Sequence, residues 1–97
     1  MFLEVDMGTE ALSIWKQKTA YYLQLAISGE FAQRFRQAHF RVLVVANSDR
    51  RLANIRGTIS QSTDKIFWFA TLENIKRVGL WSPIWLRPNG DQRLSLL

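Results

Sequence analysis

The sequence predicts a small α/β domain in β-α-β-α-β order, with helices packed on a mostly parallel sheet of three or four strands. Three segments, residues 2–6, 40–46 and 65–71, have the alternating or β-branched composition of strands. Helical periodicities separate these segments, and parallel strands are joined by right-handed helical crossovers of this kind. The chain has 97 residues, of which 47% are hydrophobic, so we expect a single domain, residues 1–86, with its own core.

The first predicted strand alternates between two faces. Phe2, Glu4 and Asp6 share one face, and Leu3 and Val5 share the other. The carboxylates of Glu4 and Asp6 therefore project from the same side, about 7 Å apart along the backbone. Paired carboxylates suit Mg²⁺, which makes these two residues the candidate metal ligands and candidate catalytic acids. A solvated strand face is the alternative.

A long helix is predicted after Gly8, which breaks the strand. Thr9 is a suitable N-cap, and the helix continues to about Ile27, before Gly29. Its apolar positions follow helical spacing and predict a stripe that packs on the sheet, formed by Ala11, Ile14, Trp15, Tyr21, Tyr22 and Leu25.

Lys18 lies within this apolar stripe instead of on the polar side of the helix. At helical rise it is about 14 Å past Thr9, and helical side chains lean toward the N-terminus. Its ammonium can therefore reach back toward Glu4 and Asp6, which makes Lys18 a candidate catalytic residue. A lysine that extends from the edge of the stripe into solvent is the alternative.

The clearest strand is residues 40–46, whose nearly continuous apolar sequence is typical of a strand that is buried on both faces. It is therefore predicted to be central in the sheet. Residues 31–39 before it are predicted as a short helix or an ordered loop. After it, Asn47 or Ser48 caps a helix that runs from Asp49 to about Ser60.

The C-terminal third begins with a predicted strand, residues 65–71, and a short helix, residues 72–78. Residues 81–86 are interrupted by Pro83 and are predicted as an edge strand or an extended arm. Residues 87–97 are predicted as a tail.

The predicted arm contains Trp81, Ile84 and Trp85, an apolar group that a monomer of 97 residues has little core to bury. We therefore predict that these three residues form the interface of a homodimer. A small sheet also exposes an edge strand, and such an edge commonly recruits another chain. A protein-interaction or dimerisation module is one candidate function.

The charge of the chain favours a polyanionic partner. The net charge is +5, and the first ten residues carry three acidic and no basic side chains. Nucleic acid or an acidic protein surface would be attracted to the basic remainder. A helix N-terminus beside two arginines suits a phosphate, although a solvated charge cluster is the alternative. The candidate nucleic-acid contacts are Arg34, Arg36, Arg50, Arg51 and Arg56.

Several function classes have no support in the sequence. The chain has no cysteine, which excludes disulfides, thiolate metal sites and cysteine nucleophiles and favours a reducing, cytoplasmic location. Its single histidine, His39, has no evident ligand partners. There is no Gly-rich phosphate loop or nucleophile elbow. No apolar run approaches the roughly 20 residues that span a bilayer, so we expect a soluble protein without a membrane partner.

Five stretches carry a resemblance: FLEVDMGTE, KQKTAYYL, FRVLVVANSDRRLANIR, IFWFATLENI and SPIWL. In this order they resemble the C-terminal part of the replication-relaxation family of plasmid and mobile-element proteins, over nearly the whole chain. The residues that match the family pattern are Glu4, Asp6, Gly8, Thr9, Lys18, Tyr21 or Tyr22, Arg50 and Arg51.

The resemblance implies a winged-helix DNA-binding portion followed by a domain similar to the restriction-endonuclease-like PD-(D/E)xK core, here truncated. The chain begins at what would be the third strand of that core, without the first Asp of the motif. Glu4 and Asp6 stand at the E-x-K step, so that Lys18 would supply the lysine from the helix. The implied function is a DNA-associated accessory or binding domain of plasmid replication or mobilisation, catalytically inactive and without a cofactor. A Mg²⁺-dependent nuclease is the alternative.

Overall fold

A computed structural model of the chain describes residues 1–28 and 40–97. Its elements in chain order are β1 (Phe2–Asp6), α1 (Leu12–Ile27), β2 (Val42–Ala46), α2 (Asp49–Ser60), β3 (Phe67–Thr71) and α3 (Leu72–Val78). The predicted α/β class is confirmed. No helix within these two ranges is long and apolar enough to cross a membrane. The predictions for Gly29, for residues 31–39 and for Arg34, Arg36 and His39 lie outside the described residues.

The three strands form one parallel sheet in the order β1-β2-β3. Glu4 pairs with Val44 across β1 and β2, and Val44 pairs with Phe69 across β2 and β3. Every residue of β2 is buried, as expected for a central strand whose two faces are both covered. The prediction of a central parallel strand is confirmed, and its ends are Val42 and Ala46.

The helices α1 and α2 pack side by side on one face of the sheet. Right-handed crossovers between strands that follow each other in sheet order place consecutive helices on the same face. Alternate residues of the strands turn toward this face. The core between the layers contains Trp15, Tyr22, Val42, Val44, Leu52, Ile55, Ile59, Phe67 and Phe69.

Over β2 and β3, the second face of the sheet is covered by α3 and by the chain that follows it. The backbones of Phe69 and Leu86 exchange two hydrogen bonds of 2.8 Å, which covers the outer edge of β3. The core of this face contains Leu43, Val45, Trp68, Ala70, Ile84, Trp85 and Leu96.

The prediction that Trp81, Ile84 and Trp85 form a dimer interface is wrong for two of the three residues. Ile84 is 6% exposed and Trp85 is 0% exposed within a single chain. Trp85 can be buried because its indole N–H donates to the carbonyl of Leu80 at 2.9 Å, which satisfies the one polar atom of the ring. Trp81 alone lies at the surface, 55% exposed.

The predicted C-terminal tail folds back onto the domain, and Leu96 is buried in the second core. Arg56 of α2 donates to the carbonyls of Arg87 (2.9 Å) and Gly90 (2.6 Å). Arg41 donates to the carbonyl of Leu96 at 2.6 Å. The sequence of this segment alone does not indicate that it folds back, because Arg41 and Arg56, which bind its carbonyls, lie in other parts of the chain.

The helix α1 begins later than predicted. It starts at Leu12, and its N-cap, Ala11, offers no side-chain hydrogen bond, so Thr9 does not cap it. The predicted cap of α2 is confirmed, since the Ser48 hydroxyl accepts a hydrogen bond from the backbone N–H of Arg51 at 3.1 Å.

The buried face of α1 also differs from the predicted stripe. Its buried residues are Trp15, Thr19 and Tyr22, whereas Tyr21 is 63% exposed. Thr19 tolerates burial because its hydroxyl donates to the carbonyl of Trp15 at 2.7 Å. An intrahelical hydrogen bond of this kind lets a polar residue occupy a position that an apolar pattern does not reveal.

Candidate functional site

Among the described residues, the buried charged side chain is Asp6, at the carboxyl end of β1. Its side chain is 0% exposed, and each carboxylate oxygen accepts two hydrogen bonds. Oδ1 accepts from the backbone N–H of Gly8 (2.7 Å) and from Nε of Arg51 (2.8 Å). Oδ2 accepts from the indole N–H of Trp15 (2.8 Å) and from Nη2 of Arg51 (2.9 Å). Asp6 therefore joins β1 to both α1 and α2.

Two local features bring these donors to Asp6. Gly8 has a φ of 85°, in the region that favours glycine, while its N–H donates to the carboxylate. Arg51 lies in the first turn of α2 and also donates to the carbonyl of Glu10. The guanidinium thus meets Asp6 with two parallel hydrogen bonds, the strong geometry for an arginine and a carboxylate.

The charges of this pair stabilise each other. The pKa of Asp6 is lowered from 3.8 to about 2, chiefly by the hydrogen bonds from Arg51, with smaller contributions from the hydrogen bonds of Trp15 and Gly8, and against the opposing effect of burial. Asp6 in turn raises the pKa of Arg51. Both groups are charged at neutral pH. Asp6, which was predicted to bind a metal ion, is instead paired with the guanidinium of Arg51.

A second cluster surrounds Lys18 of α1. Its ammonium donates to Oε1 of Glu4 and to Oε1 of Glu10, both at 2.9 Å, and lies 4.8 Å from the ring centre of Trp15. Burial lowers the pKa of Lys18, but the two carboxylates outweigh this effect and raise it overall. The structure brings Lys18 and Glu4 together, in the direction that helix geometry predicts from the sequence.

Two members of this cluster, Glu10 and Tyr22, are absent from the predicted site residues. The Tyr22 hydroxyl donates to Oε2 of Glu4 at 2.6 Å, and burial together with this carboxylate raises the pKa of Tyr22. Tyr22 follows Lys18 by four residues, which places both on one face of the helix and is a signal for its role. Glu10 lies in the turn before α1, where no periodicity indicates its position.

The chemistry of the two clusters is that of charge neutralisation. Lys18 is an ammonium and Tyr22 a neutral phenol at neutral pH, so both donate hydrogen bonds and neither matches the pKa of a general base. The three N-terminal acids each face Lys18 or Arg51. The described residues contain no group of three or more potential metal ligands. Their donor set fits a Mg²⁺ site poorly, because side-chain cations already face the carboxylates.

The predicted nucleic-acid contacts occupy different environments. Arg51 holds Asp6, and Arg56 holds the backbone of the C-terminal segment, where burial lowers its pKa. The geometry removes these two from the candidate phosphate contacts, because each guanidinium group is partly buried and donates at least two hydrogen bonds within the chain. Arg50 is exposed and makes no ion pair with the described residues. Consecutive residues of a helix point about 100° apart, so Arg51 faces Asp6 whereas Arg50 faces solvent.

Two pockets lie at the carboxyl edge of the sheet, around α3. The smaller, of about 520 Å³, is lined by residues that include Asn47, Glu73, Lys76 and Arg77. The larger, of about 640 Å³, is lined by residues that include Asp49, Asn74, Arg77, Ser82, Pro83 and Arg93. Arg77 lines both pockets, which together we name the carboxyl-edge groove. Ligands of parallel α/β sheets bind at this edge.

Neither a protein-family model, nor a curated protein, nor a solved structure matches this chain. The fold and the site define a class: a small parallel α/β domain whose N-terminal acids are neutralised internally and whose exposed cations line a groove.

Proposed function

We propose that this chain is a DNA-associated binding domain that contacts phosphates through the basic side chains of the carboxyl-edge groove. The distribution of ion pairs carries the proposal. Within the described residues, every ion pair joins an acid of the first ten residues to Lys18 or Arg51. The remaining lysines and arginines of those ranges have no acidic partner at ion-pair distance. Of these, Arg41, Arg56 and Arg87 are partly buried and donate to backbone carbonyls. The charge of the exposed lysines and arginines is available to a polyanion.

The exposed cations are concentrated where a ligand has access. Lys76, Arg77 and Arg93 are exposed and line the groove, against the two acids Asp49 and Glu73. Arg50, at the start of α2, is a further exposed cation, although it does not line the groove. The family resemblance supplies the biological setting of this proposal, plasmid replication or mobilisation.

Binding fits this geometry better than Mg²⁺-dependent cleavage. Asp6, the candidate metal ligand, accepts four hydrogen bonds, and Lys18 bridges Glu4 and Glu10. A hydrated Mg²⁺ would have to displace these donors before it reached either carboxylate. A nuclease activity is therefore the weaker proposal for these residues.

Fluorescence anisotropy of labelled DNA at several salt concentrations tests the proposal. The double variant Arg77→Ala/Arg93→Ala removes two cations of the groove. We expect weaker binding and a slope of log K against log salt that is smaller by about 1.8 with duplex DNA or about 1.4 with single-stranded DNA, since each phosphate contact contributes about 0.9 or about 0.7 respectively. The control Lys16→Ala removes an exposed cation of α1, which does not line the groove. Absence of binding at low salt, or an equal loss in the control, contradicts the proposal.

Self-association through β1 is the second candidate, in place of the interface predicted at Ile84 and Trp85. Leu3 is 62% exposed and Val5 is 53% exposed, on the side of β1 that faces away from α1 and α2. Within the described residues β1 pairs with β2 alone. We propose a second copy as the occupant, because a two-fold axis places the same uncharged strand face of both chains in contact.

Sedimentation velocity at micromolar concentration tests this candidate. The wild-type chain is expected to dimerise, and Leu3→Lys/Val5→Lys is expected to be monomeric, since charges on an edge strand oppose pairing. Ile27→Lys is the control, because Ile27 is an exposed apolar residue of α1. A monomeric wild-type chain contradicts the candidate.

A further inference from the structure

Trp81 is the one tryptophan of the chain that lies in solvent. It is 55% exposed, whereas Trp15, Trp68 and Trp85 are 0%, 8% and 0% exposed. Large aromatic side chains contribute to stability by burial, and an indole left half in water forgoes much of that gain. The exposed indole of Trp81 is therefore available for a contact outside the domain.

The surroundings of Trp81 indicate what that contact is. It directly precedes Ser82 and Pro83, which line the larger part of the carboxyl-edge groove together with Arg77 and Arg93. An exposed aromatic ring beside a groove with basic side chains is the combination that binds single-stranded nucleic acid, because bases stack on the ring while cations hold the phosphates. In a duplex the bases are already stacked on one another and leave only the phosphates to be bound.

We propose that Trp81 is a base-stacking platform and that the carboxyl-edge groove binds single-stranded DNA, with Arg77 and Arg93 on its phosphates. This inference rests on the proposed function and makes it specific. The larger part of the groove, about 640 Å³, is within the range of sites for small organic ligands, which is the scale of a nucleotide. The Asp49 carboxylate repels phosphate, so it favours an arrangement in which the backbone follows the arginines.

The position of Val78 supports the same arrangement. Val78 ends α3, lines the groove and is 49% exposed, so it offers an apolar surface to a ligand of the groove. The sequence places Trp81 three residues after Val78, with Gly79 between them at a φ of 95°. One short stretch of the chain thus offers apolar surface to a base, from Val78 and Trp81, and a cation to the nucleic-acid backbone, from Arg77.

Titration with oligothymidylate and with a duplex hairpin of equal length, at low salt, tests the inference. We expect the single strand to bind the wild-type chain more tightly than the duplex and to quench the tryptophan emission. Trp81→Ala is expected to weaken single-strand binding by about tenfold or more, as the loss of one stacked base does, and to leave duplex binding unchanged. Tyr21→Ala is the matched control, since Tyr21 is also an exposed aromatic residue, 63% exposed, but lies on α1.

The outcomes separate the two proposals. If neither nucleic acid binds, the proposed function fails and the inference fails with it. If both bind equally and Trp81→Ala matches Tyr21→Ala, the stacking role is overturned while the proposed function stands. If Trp81→Phe keeps its affinity for the single strand whereas Trp81→Ala loses it, the stacking role is supported, because the phenyl ring keeps an aromatic face.

Discussion

Replacing Arg51 by Met is expected to destabilise the domain strongly. The substitution keeps much of the apolar stem but removes the guanidinium, which leaves the Asp6 carboxylate 0% exposed and without its cation. Removing one partner of a buried ion pair costs about 3–5 kcal/mol. Proteins have a free energy of unfolding of about 5–15 kcal/mol, so this variant should lose a substantial fraction of its stability. Arg50→Met removes the exposed neighbouring charge and should change stability by no more than about 0.5 kcal/mol.

The pH dependence of the wild-type chain measures the same pair independently. The pKa of Asp6 is about 2 in the folded chain, compared with 3.8 for the ordinary group. A lowered pKa gives stability that is fully present above the unfolded value and is lost as the pH falls through the folded value. At about 1.4 kcal/mol per pKa unit, we expect Asp6 to contribute a loss of about 2 kcal/mol between pH 4 and pH 2. This component should be missing in Asp6→Asn.

Urea unfolding followed by tryptophan fluorescence at pH 7 and at lower pH provides both measurements. If Arg51→Met does not fold, the double variant Asp6→Asn/Arg51→Met gives a second test, because it removes both charges and should be more stable than Arg51→Met alone. Equal stability of Arg51→Met and Arg50→Met would refute the reasoning. The reasoning would also be refuted if, below pH 4, the free energy of unfolding fell with pH as steeply in Asp6→Asn as in the wild-type chain.

Three further predictions concern other contacts. Tyr22→Phe removes the hydrogen bond to Glu4 and should cost about 1–2 kcal/mol in urea unfolding, because the acceptor is partly buried. Arg56→Ala releases the carbonyls of Arg87 and Gly90 and should make the C-terminal segment more sensitive to limited proteolysis, with little change elsewhere. Purified protein with Mg²⁺ should show no DNA cleavage that depends on Glu4, and activity that Glu4→Gln abolishes in a folded protein would contradict the binding proposal.

The strands and their order were predictable from the sequence because their signals are local. The apolar composition of residues 40–46 predicts burial on both faces, and Val42–Ala46 is the buried central strand. The Ser48 cap is likewise a local signal. The start of α1 was not predictable in this way, because Ala11 offers no side-chain cap at all.

The partners of the polar site were not predictable, because they are distant in sequence. The alternation of β1 assigns Glu4 and Asp6 to one face but does not say which face is buried, and its apolar pair, Leu3 and Val5, would ordinarily be the buried one. The structure reverses this expectation, since Asp6 is 1% exposed and Leu3 is 62% exposed. The reason is Arg51, which is 45 residues away from Asp6 and satisfies its charge.

The same pairing determines which charges a partner meets. A count of charges along the sequence contrasts an acidic beginning with a basic remainder, and it assigns Arg50 and Arg51 the same role. In the folded chain the N-terminal acids are matched by Lys18 and Arg51, which removes both of these cations from the surface field. Under the proposed function, a phosphate would therefore meet the exposed cations, among them Arg50 and those of the carboxyl-edge groove. The identity of a phosphate contact thus depends on which basic side chains the fold leaves unpaired, and this follows from tertiary structure and not from composition.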